Sequence, residues 1–353
     1  TRDGYDLSAA GIERALETGA SLIVTADCGV TAVSAVREAT SRGVDVIVTD
    51  HHRPGGELPD AIAVVNPMRR DSDYQFRGLA GVGVAYKLLS ALFERRGIPS
   101  PNLNQHLDFV AIGTVADQMP LTDENRILVR AGLRALERSR KPGVRALLGQ
   151  AGVAAGQSVE AEHISFRIAP RLNSVGRMAE AETGLRLLLA SDDMEAERLA
   201  GHLENLNAQR RKTDSSVFDE VQSKVSAQLQ DSDRMVVLWG DGWHPGVIGI
   251  VASRLVERFH RPAIVIAFDG DVGRGSGRSV DGFHLFNALQ ECEDVLVRFG
   301  GHRMAAGLTV RRENVAALAD RLRQFARTEM ADRDPVHELR LDLELSLERI
   351  QPA

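Results

Sequence analysis

The chain has 353 residues, enough for two domains, and its 43% hydrophobic and 26% charged content is typical of a globular protein. A net charge of −6 excludes a uniformly basic nucleic-acid-binding chain, although a locally basic cleft remains compatible with it. No apolar run is long enough to span a bilayer, and no signal-peptide pattern is present. Cys28 and Cys292 cannot form a disulfide framework. We therefore expect a cytoplasmic protein without a membrane segment.

The first part of the chain alternates helical and strand-like segments joined by short connections. This alternation predicts a parallel α/β sheet. The strands are apolar and rich in β-branched residues, so they are predicted to be buried. The predicted elements are a helix at 8–19, a strand at 21–26, a helix at 30–42, a strand at 44–49 and a short strand at 61–65.

From about residue 82 the pattern becomes mostly helical, and a second α/β block follows a long charged amphipathic segment. The tail alternates leucine with charged residues from Leu339 to Leu347, which predicts a strand. The fold class is thus α/β, with a parallel-sheet domain, a long helix and a smaller α/β domain. The predicted boundaries are 1–192 for the first domain, 193–229 for the connecting helix, 230–335 for the second domain and 336–353 for the start of a further β domain.

Acidic and imidazole side chains follow two of the predicted strands. Asp27 ends one strand, and Asp50, His51 and His52 end the next. In an open α/β sheet, ligands bind beyond the carboxyl ends of the strands. A single Asp here would be read as a turn residue and a single His as a cap. Together, they predict a site for a divalent metal such as Mn²⁺.

Asp117 ends the apolar run that begins at Phe109. On its own it would be read as a helix or turn terminator. Beside Asp27 and His51 it completes an Asp/His/Asp ligand set. Such a set suits metal-assisted displacement at phosphorus, in which two ions can share a bridging carboxylate.

Three further segments combine glycine or proline with basic residues. Residues 170–177 contain Arg171 and Arg177 and are interpreted as a loop, either solvated or gripping a nucleic-acid backbone. Residues 273–279 would form either a phosphate-cradling strand or a flexible edge. The sequence at 300–302, Gly-Gly-His, allows close backbone approach to a phosphate but is also compatible with a tight turn.

Taken in order along the whole chain, these motifs resemble the DHH phosphoesterase family, and within it the bacterial exonucleases specific for single-stranded DNA. The motifs are Thr-Ala-Asp-Cys-Gly at 25–29, Thr-Asp-His-His at 49–52, Gly-Thr-Val-Ala-Asp at 113–117, the segment 170–177, Trp-His-Pro-Gly-Val-Ile-Gly at 243–249, Gly-Ser-Gly-Arg-Ser at 275–279 and Gly-Gly-His at 300–302.

The resemblance implies a DHH domain and a smaller DHHA1 domain joined by a long helix, with two Mn²⁺ or Mg²⁺ ions in the complete enzyme. It implies that Asp27 bridges the ions, that His51 and Asp117 ligate one of them, and that Asp50 orients a ligand. His52 would contact the scissile phosphate or act as an acid. The residues implied in substrate binding are Arg171, Asn173, Arg177, Ser276, Arg278, Gly300, Gly301 and His302.

The resemblance also implies 5′-to-3′ degradation of single-stranded DNA in repair and recombination. A single-strand-binding protein and a helicase would be partners, and the protein would be a monomer. Two alternatives stay open. One is a phosphoesterase acting on oligoribonucleotides, bisphosphorylated nucleotides or cyclic dinucleotides. The other is a DNA-binding scaffold without catalysis, although the intact acidic and histidine residues favour an enzyme.

One family feature is missing, the Asp-x-Asp-Gly motif that would supply further metal ligands. Residues 3–8 resemble it only superficially, because no apolar strand precedes them and they lie too close to Asp27. The chain also begins with Thr1. We therefore expect a fragment that binds at most one metal well and is weakly active or inactive.

Overall fold

The computed structural model describes residues 6–154, 156–178, 181–228 and 233–331, together with 341, 343–346 and 349. The chain divides into two compact units, Thr1–Ala208 and Gln209–Ala353. The division falls inside the long helix that was predicted to connect two domains. Within the described residues, no helix is both long and apolar enough to cross a membrane.

The first unit contains a three-stranded sheet of order β1-β2-β3, in which both strand pairs are parallel. The predicted parallel sheet is therefore confirmed. Its elements are α1 (Ala9–Glu17), β1 (Leu22–Ala26), α2 (Val33–Ser41), β2 (Asp45–Thr49) and β3 (Ala63–Val65).

The central strand β2 is the best covered, with Val46 and Val48 almost fully buried in one core cluster. Strand β1 lies at an edge of this sheet, where Leu22 is 47% and Val24 is 54% exposed. The prediction of a buried strand was therefore wrong for β1. An apolar run does not reveal whether a strand is central or at an edge.

The rest of the first unit is helical, and a core cluster of its own holds it together. Its elements are α3 (Gly81–Arg96), α4 (Pro101–Asn104), α5 (Leu107–Ala116), α6 (Asp123–Glu137), α7 (Pro142–Gln150), α8 (Ala161–His163), the π-helix Ile164–Ile168, α9 (Ala169–Met178), α10 (Glu182–Leu189) and the start of α11 (Asp193–Gln228).

The predicted loop at 170–177 is wrong, because these residues belong to α9. Pro170 is the second residue of α9, and only Ala169 separates it from the end of the π-helical stretch at Ile168. In a regular α-helix, a proline lacks the N–H for the bond to the carbonyl four residues earlier and its ring clashes with that carbonyl. A π-helical turn just before it relieves that conflict and lets the helical run continue.

Helix α11 contributes to two separate cores. Leu199 and Leu203 belong to the helical core of the first unit, whereas Val217 and Val221 pack in a core cluster of the second unit. The predicted long helix at 193–229 thus matches α11 to within one residue.

The second unit is built around a five-stranded mixed sheet of order β4-β5-β6-β8-β7. Strands β4 and β5 are parallel, and the other neighbours are antiparallel. The elements are β4 (Val236–Asp241), α12 (Ile248–Phe259), β5 (Ala263–Asp269), β6 (Val272–Arg278), α13 (Leu285–Gln290), β7 (Leu296–Gly301), β8 (Ala305–Arg311) and α14 (Val315–Glu329), with 3-10 turns at Glu293–Val295 and Arg312–Asn314.

Strand β6 carries the glycine- and arginine-rich segment and is the central strand of this sheet. The alternative of a flexible edge is therefore wrong. A Cβ atom on Gly275 would lie 2.7 Å from Leu308 Cγ, and one on Gly273 would lie 2.8 Å from Ile266 Cγ2. The glycines make room for large neighbours, so here they are a packing feature and not a sign of flexibility.

Most of the tail predicted to begin a β domain lies outside the described residues. Among the few tail positions that are described, Leu341 is 76% and Leu343 is 70% exposed. The domain assignment of 336–353 stays a prediction.

Candidate metal centre

The parallel register of β1 and β2 brings the ends of the two strands together. Ala26 lies opposite Thr49, and the backbone N–H of Asp27 donates to Thr49 O at 3.0 Å. The hydroxyl of Thr49 donates to Thr25 O at 2.6 Å, which locks the two strand ends. Asp27 itself adopts a φ of +67°, a conformation that aspartate and asparagine tolerate better than most residues. This turn directs the chain away from the sheet.

His51 lies between two carboxylates. Its Nε2 is 3.0 Å from Asp27 Oδ1 and 3.4 Å from Asp117 Oδ2. Despite these short distances, Nε2 is a buried nitrogen without a geometrically satisfied hydrogen bond among the described residues. A buried polar atom in that state is costly unless something else binds it.

The charges around His51 favour the binding of a cation. Burial alone would lower the pKa of His51, but Asp27 and Asp117 raise it above its usual value. Burial raises the pKa of Asp117, and the negative charge of Asp27 raises it further against the effect of His51. Within the described part of the chain, no lysine or arginine forms an ion pair with either carboxylate. A divalent cation would stabilise both charged carboxylates and the neutral imidazole.

Asp50 is 1% exposed and organises the loop after β2. Its carboxylate accepts hydrogen bonds from the backbone N–H groups of Val30 (3.0 Å), His51 (2.7 Å) and His52 (3.1 Å). Its Oδ1 also lies 2.7 Å from Nδ1 of His52. Burial alone would raise the pKa of Asp50, but these hydrogen bonds lower it below its usual value. Asp50 therefore stays ionised.

Because an ionised carboxylate only accepts hydrogen bonds, Nδ1 of His52 must carry the proton. The other ring nitrogen, Nε2, then keeps an unprotonated lone pair, on a side chain that is 53% exposed. Ligand atoms of Asp27, His51 and His52 all lie within 4.8 Å of one another. The mixed nitrogen and oxygen donor set suits Mn²⁺ or a similar divalent ion. The residues present thus fit the metal that was predicted.

Gly81, which sequence reasoning did not single out, is the first residue of α3 and lies directly against Asp27. A Cβ atom at this position would be 2.3 Å from Asp27 Oδ1 and 2.6 Å from Asp27 Cβ and Cγ. Rotation of the Asp27 side chain cannot relieve a clash with its own Cβ. The signal in the sequence was the pair Gly81 and Gly83 at the start of an apolar helix.

We expect Gly81→Ala to weaken Mn²⁺ binding by about 10- to 100-fold, the range for residues that hold metal ligands in place. The added methyl group would push Asp27 away from His51. Isothermal titration with Mn²⁺ measures the change. Gly83→Ala is the matched control in the same helix, because the nearest atoms to its Cβ would all belong to the Leu79 side chain, with Cδ2 closest at 3.3 Å. Unchanged Mn²⁺ affinity in Gly81→Ala would show that this close contact does not hold Asp27.

Of the predicted substrate-binding residues, those of the first unit lie on α9. Asn173 is exposed, whereas Arg171 is only 12% exposed in its side chain. Arg171 Nε lies 2.6 Å from Glu204 Oε2, and its Nη1 donates to Arg167 O at 2.6 Å. Arg177 is half-buried. The guanidinium of Arg171 is thus held against α11 by Glu204.

The other predicted substrate-binding residues lie on the sheet of the second unit. Arg278 Nη1 donates to Ser276 Oγ at 3.2 Å and to Gly277 O at 2.8 Å. A Cβ atom on Gly249, in the first turn of α12, would lie 3.0 Å from Ser276 Oγ and 3.2 Å from Arg278 Nη2. The glycine therefore lets α12 approach these two polar side chains closely.

The Gly-Gly-His segment forms the end of the β7–β8 hairpin. Gly301 has a φ of +143°, and a Cβ atom there would lie 2.5 Å from Ala305 O. The backbone N–H of His302 donates to Ala305 O at 2.8 Å. Gly300, Gly301 and His302 are all exposed. The imidazole is therefore presented at the surface of the second unit.

Two protein-family models match this chain, the DHH family N-terminal domain over residues 4–114 and the DHHA1 domain over residues 232–328. A crystal structure of exonuclease RecJ bound to manganese matches with a TM-score of 0.79 and 38% identity, over 95% of this chain and 82% of that one. The chain belongs to the RecJ family of DHH proteins.

Two further comparisons, with RecJ proteins of Bacillus subtilis and Thermus thermophilus, agree with this assignment. The single-stranded-DNA-specific exonuclease RecJ of Bacillus subtilis is 43% identical over 351 residues, which are 99% of this chain and 44% of that protein. RecJ of Thermus thermophilus, solved in complex with Mn²⁺, matches with a TM-score of 0.80 and 38% identity, over 90% of this chain and 47% of that one. The chain spans about half the length of the curated RecJ proteins it matches.

Proposed function

We propose that this RecJ-family chain carries the metal-dependent hydrolytic centre of a 5′-to-3′ exonuclease that degrades single-stranded DNA in the cytoplasm. The observation that supports this most is the position of His51 Nε2, buried without a hydrogen bond between the carboxylates of Asp27 and Asp117. The names of the RecJ relatives describe them as exonucleases specific for single-stranded DNA, and solved RecJ structures contain Mn²⁺ or Mg²⁺.

In the proposed reaction, Asp27, His51 and Asp117 would hold Mn²⁺ or Mg²⁺. The metal would supply an activated water and stabilise negative charge on the phosphate. Asp50 would keep His51 and His52 in place through its hydrogen bonds to their backbone N–H groups. His52, with its proton fixed on Nδ1 by Asp50, would present Nε2 to the phosphate or to the leaving oxygen.

We further propose that Asn173, Arg171 and Arg177 on α9 and Ser276, Arg278, Gly300, Gly301 and His302 in the second unit contact the strand. Arg171 would need to keep its ion pair with Glu204 or exchange it for a phosphate. The domain boundaries 1–192, 193–229 and 230–335 also remain part of this proposal. A monomer acting with a single-strand-binding protein and a helicase is the corresponding proposal for its partners.

The proposal is tested by incubating the chain with 5′- and 3′-labelled single strands in Mn²⁺, Mg²⁺ or EDTA. We expect release of nucleotides from the 5′ end that is weak in this chain, depends on the metal and is absent in EDTA. Blocking the 5′ end should stop release, whereas blocking the 3′ end should not.

A dinucleotide and a bisphosphorylated nucleotide serve as competing substrates in the same assay. Cleavage of these without cleavage of the longer strand would support a small-substrate phosphoesterase instead. Strand binding without metal-dependent hydrolysis of any substrate would support a DNA-binding scaffold and overturn the proposed activity.

A further inference from the structure

A cavity lined by four arginines lies beside the DHH motif, and nothing in the proposed centre uses it. Its volume is about 660 Å³, and its charged lining consists of Arg53, Arg69, Arg70, Arg77 and Asp71. We propose that this cavity, here called the arginine pocket, binds phosphate groups of the single strand next to the one being hydrolysed. This inference rests on the proposed function and extends it to a further binding site.

The arginine pocket is held close to the loop after β2, which carries His51 and His52. Arg53 follows His52 directly, so its Cα lies about 3.8 Å from that of His52. Asn66, which is 5% exposed, donates from Nδ2 to His52 O at 2.8 Å and accepts from Met68 N at 2.7 Å. Both the amide nitrogen and the amide oxygen of this buried side chain are therefore hydrogen-bonded. Asn66 therefore fastens the loop after β3, which carries Arg69 and Arg70, to the loop that carries Arg53.

The arginines of the pocket differ in how they are paired. Arg69 is occupied, because its Nε donates to Asp71 Oδ1 at 2.9 Å and its Nη1 donates to Val64 O at 2.6 Å. Arg77 Nη2 donates to the backbone O of Ser72 at 3.1 Å, which leaves its charge uncompensated. Within the described residues, Arg53 and Arg70 have neither an ion pair nor a side-chain hydrogen bond, and both are exposed.

The single carboxylate of the pocket, Asp71, is thus neutralised by Arg69. The other three guanidinium groups leave a local positive charge in a chain whose net charge is −6. Like charges gathered around one cavity repel one another unless an anion binds there. This arrangement favours an anionic ligand.

The lining chemistry selects phosphate over a base. Guanidinium groups bind phosphate oxygens in a bidentate manner. The residues around the cavity include no aromatic side chain on which a base could stack. Contacts of this kind hold the backbone without reading the sequence. The volume falls within the range of about 300–1,000 Å³ that is usual for ligand sites.

The test compares the parent chain with Arg53→Gln/Arg70→Gln for binding of a fluorescent oligothymidylate in EDTA over a series of salt concentrations. Each phosphate contact to a single strand contributes about 0.7 to the slope of log K against log salt. We expect the double variant to lower the magnitude of the slope by about 0.7 to 1.4, for one or two lost contacts. At low salt, the double variant should also bind the oligothymidylate more weakly than the parent chain does.

The control is Arg126→Gln/Arg130→Gln, which removes the same charge from exposed positions of α6 in the same unit. A slope that is unchanged in the pocket variant, or lowered equally in the control, would overturn the proposal. A comparison of oligomers that carry either a 5′-phosphate or a 5′-hydroxyl shows which phosphate of the strand the arginine pocket binds. A loss restricted to the phosphorylated oligomer assigns the terminal phosphate, and an equal loss for both assigns an internal one.

Because binding is measured without hydrolysis, the two proposals can fail separately. Strand binding that depends on the arginine pocket, without any nuclease activity in Mn²⁺, would overturn only the proposed function. No strand binding by the parent chain would overturn both.

Discussion

Replacing Asp27 by asparagine is expected to lower the proposed Mn²⁺-dependent hydrolysis of single-stranded DNA by about 10³-fold or more, since a bound metal would supply several kcal/mol of charge stabilisation. The same variant should bind Mn²⁺ poorly, because the carboxylate 3.0 Å from His51 Nε2 becomes a neutral amide. Binding of the strand in EDTA should be retained. Nucleotide release, Mn²⁺ titration and strand binding measure these three results.

Asparagine is a cleaner substitution than alanine at this position. Asp27 has a φ of +67°, which asparagine adopts readily and which would strain an alanine. The control is Asp60→Asn, which makes the same change at an exposed carboxylate in the same unit. Hydrolysis in Asp27→Asn that equals the parent would exclude Asp27 as a metal ligand. Loss of strand binding together with activity would indicate a general structural effect instead.

Replacing Asp50 by alanine is expected to have the largest effect on the stability of the first unit. The buried carboxylate accepts three backbone hydrogen bonds, from Val30, His51 and His52. Its removal leaves the buried N–H of Val30 and the partly buried N–H groups of His51 and His52 without this acceptor, and a buried unpaired donor costs about 1–3 kcal/mol. We expect a loss of about 3 kcal/mol or more in the free energy of unfolding, measured by urea denaturation. Hydrogen exchange at the amides of these three residues should accelerate.

The matched control is Asp45→Ala at the first residue of β2, the strand that precedes Asp50, where the side chain is exposed. This variant should change the free energy of unfolding by only about 0.5 kcal/mol or less. Equal destabilisation by both variants, or unchanged exchange at the loop amides in Asp50→Ala, would contradict the role assigned to Asp50.

The pH dependence provides a second readout for Asp50. Its native pKa is lower than its pKa in the unfolded chain, so its contribution to stability is present above the unfolded value of about 3.9. That contribution is lost as the pH falls through the native pKa. Below about pH 4, the free energy of unfolding should therefore fall less steeply with decreasing pH in Asp50→Asn than in the parent chain.

The convergence of Asp27 and His51 could be predicted because a simple rule connects sequence to position. Two consecutive parallel strands end at the same edge of a sheet, so the residues that follow them meet there. The observed register, with Ala26 opposite Thr49, fulfils this rule. Asp117, the residue after α5, joins them with its Oδ2 3.4 Å from His51 Nε2. That these three residues bind the metal stays a prediction.

Where the prediction was wrong, local composition was a poor guide to tertiary context. Proline and glycine at 170–177 predicted a loop, but the π-helical stretch before Pro170 accommodates that proline within a helical run. The glycines of β6 were compatible with a flexible edge, yet the strand is central because Leu308 and Ile266 fill the space beside them. Neither the helical conformation of residues 170–177 nor the central position of β6 can be deduced from the few residues on either side of these segments.

The order of strands and helices, and the residue types available at each strand end, follow from the amino-acid sequence by itself. The periodicity of apolar residues and the preferences of β-branched residues act locally, and a linear reading detects them. Only the tertiary structure decided that Gly81 contacts Asp27, that Asn66 joins two loops, and that four arginines surround one cavity. These contacts join residues far apart in the chain, and they depend on distances that only close packing determines.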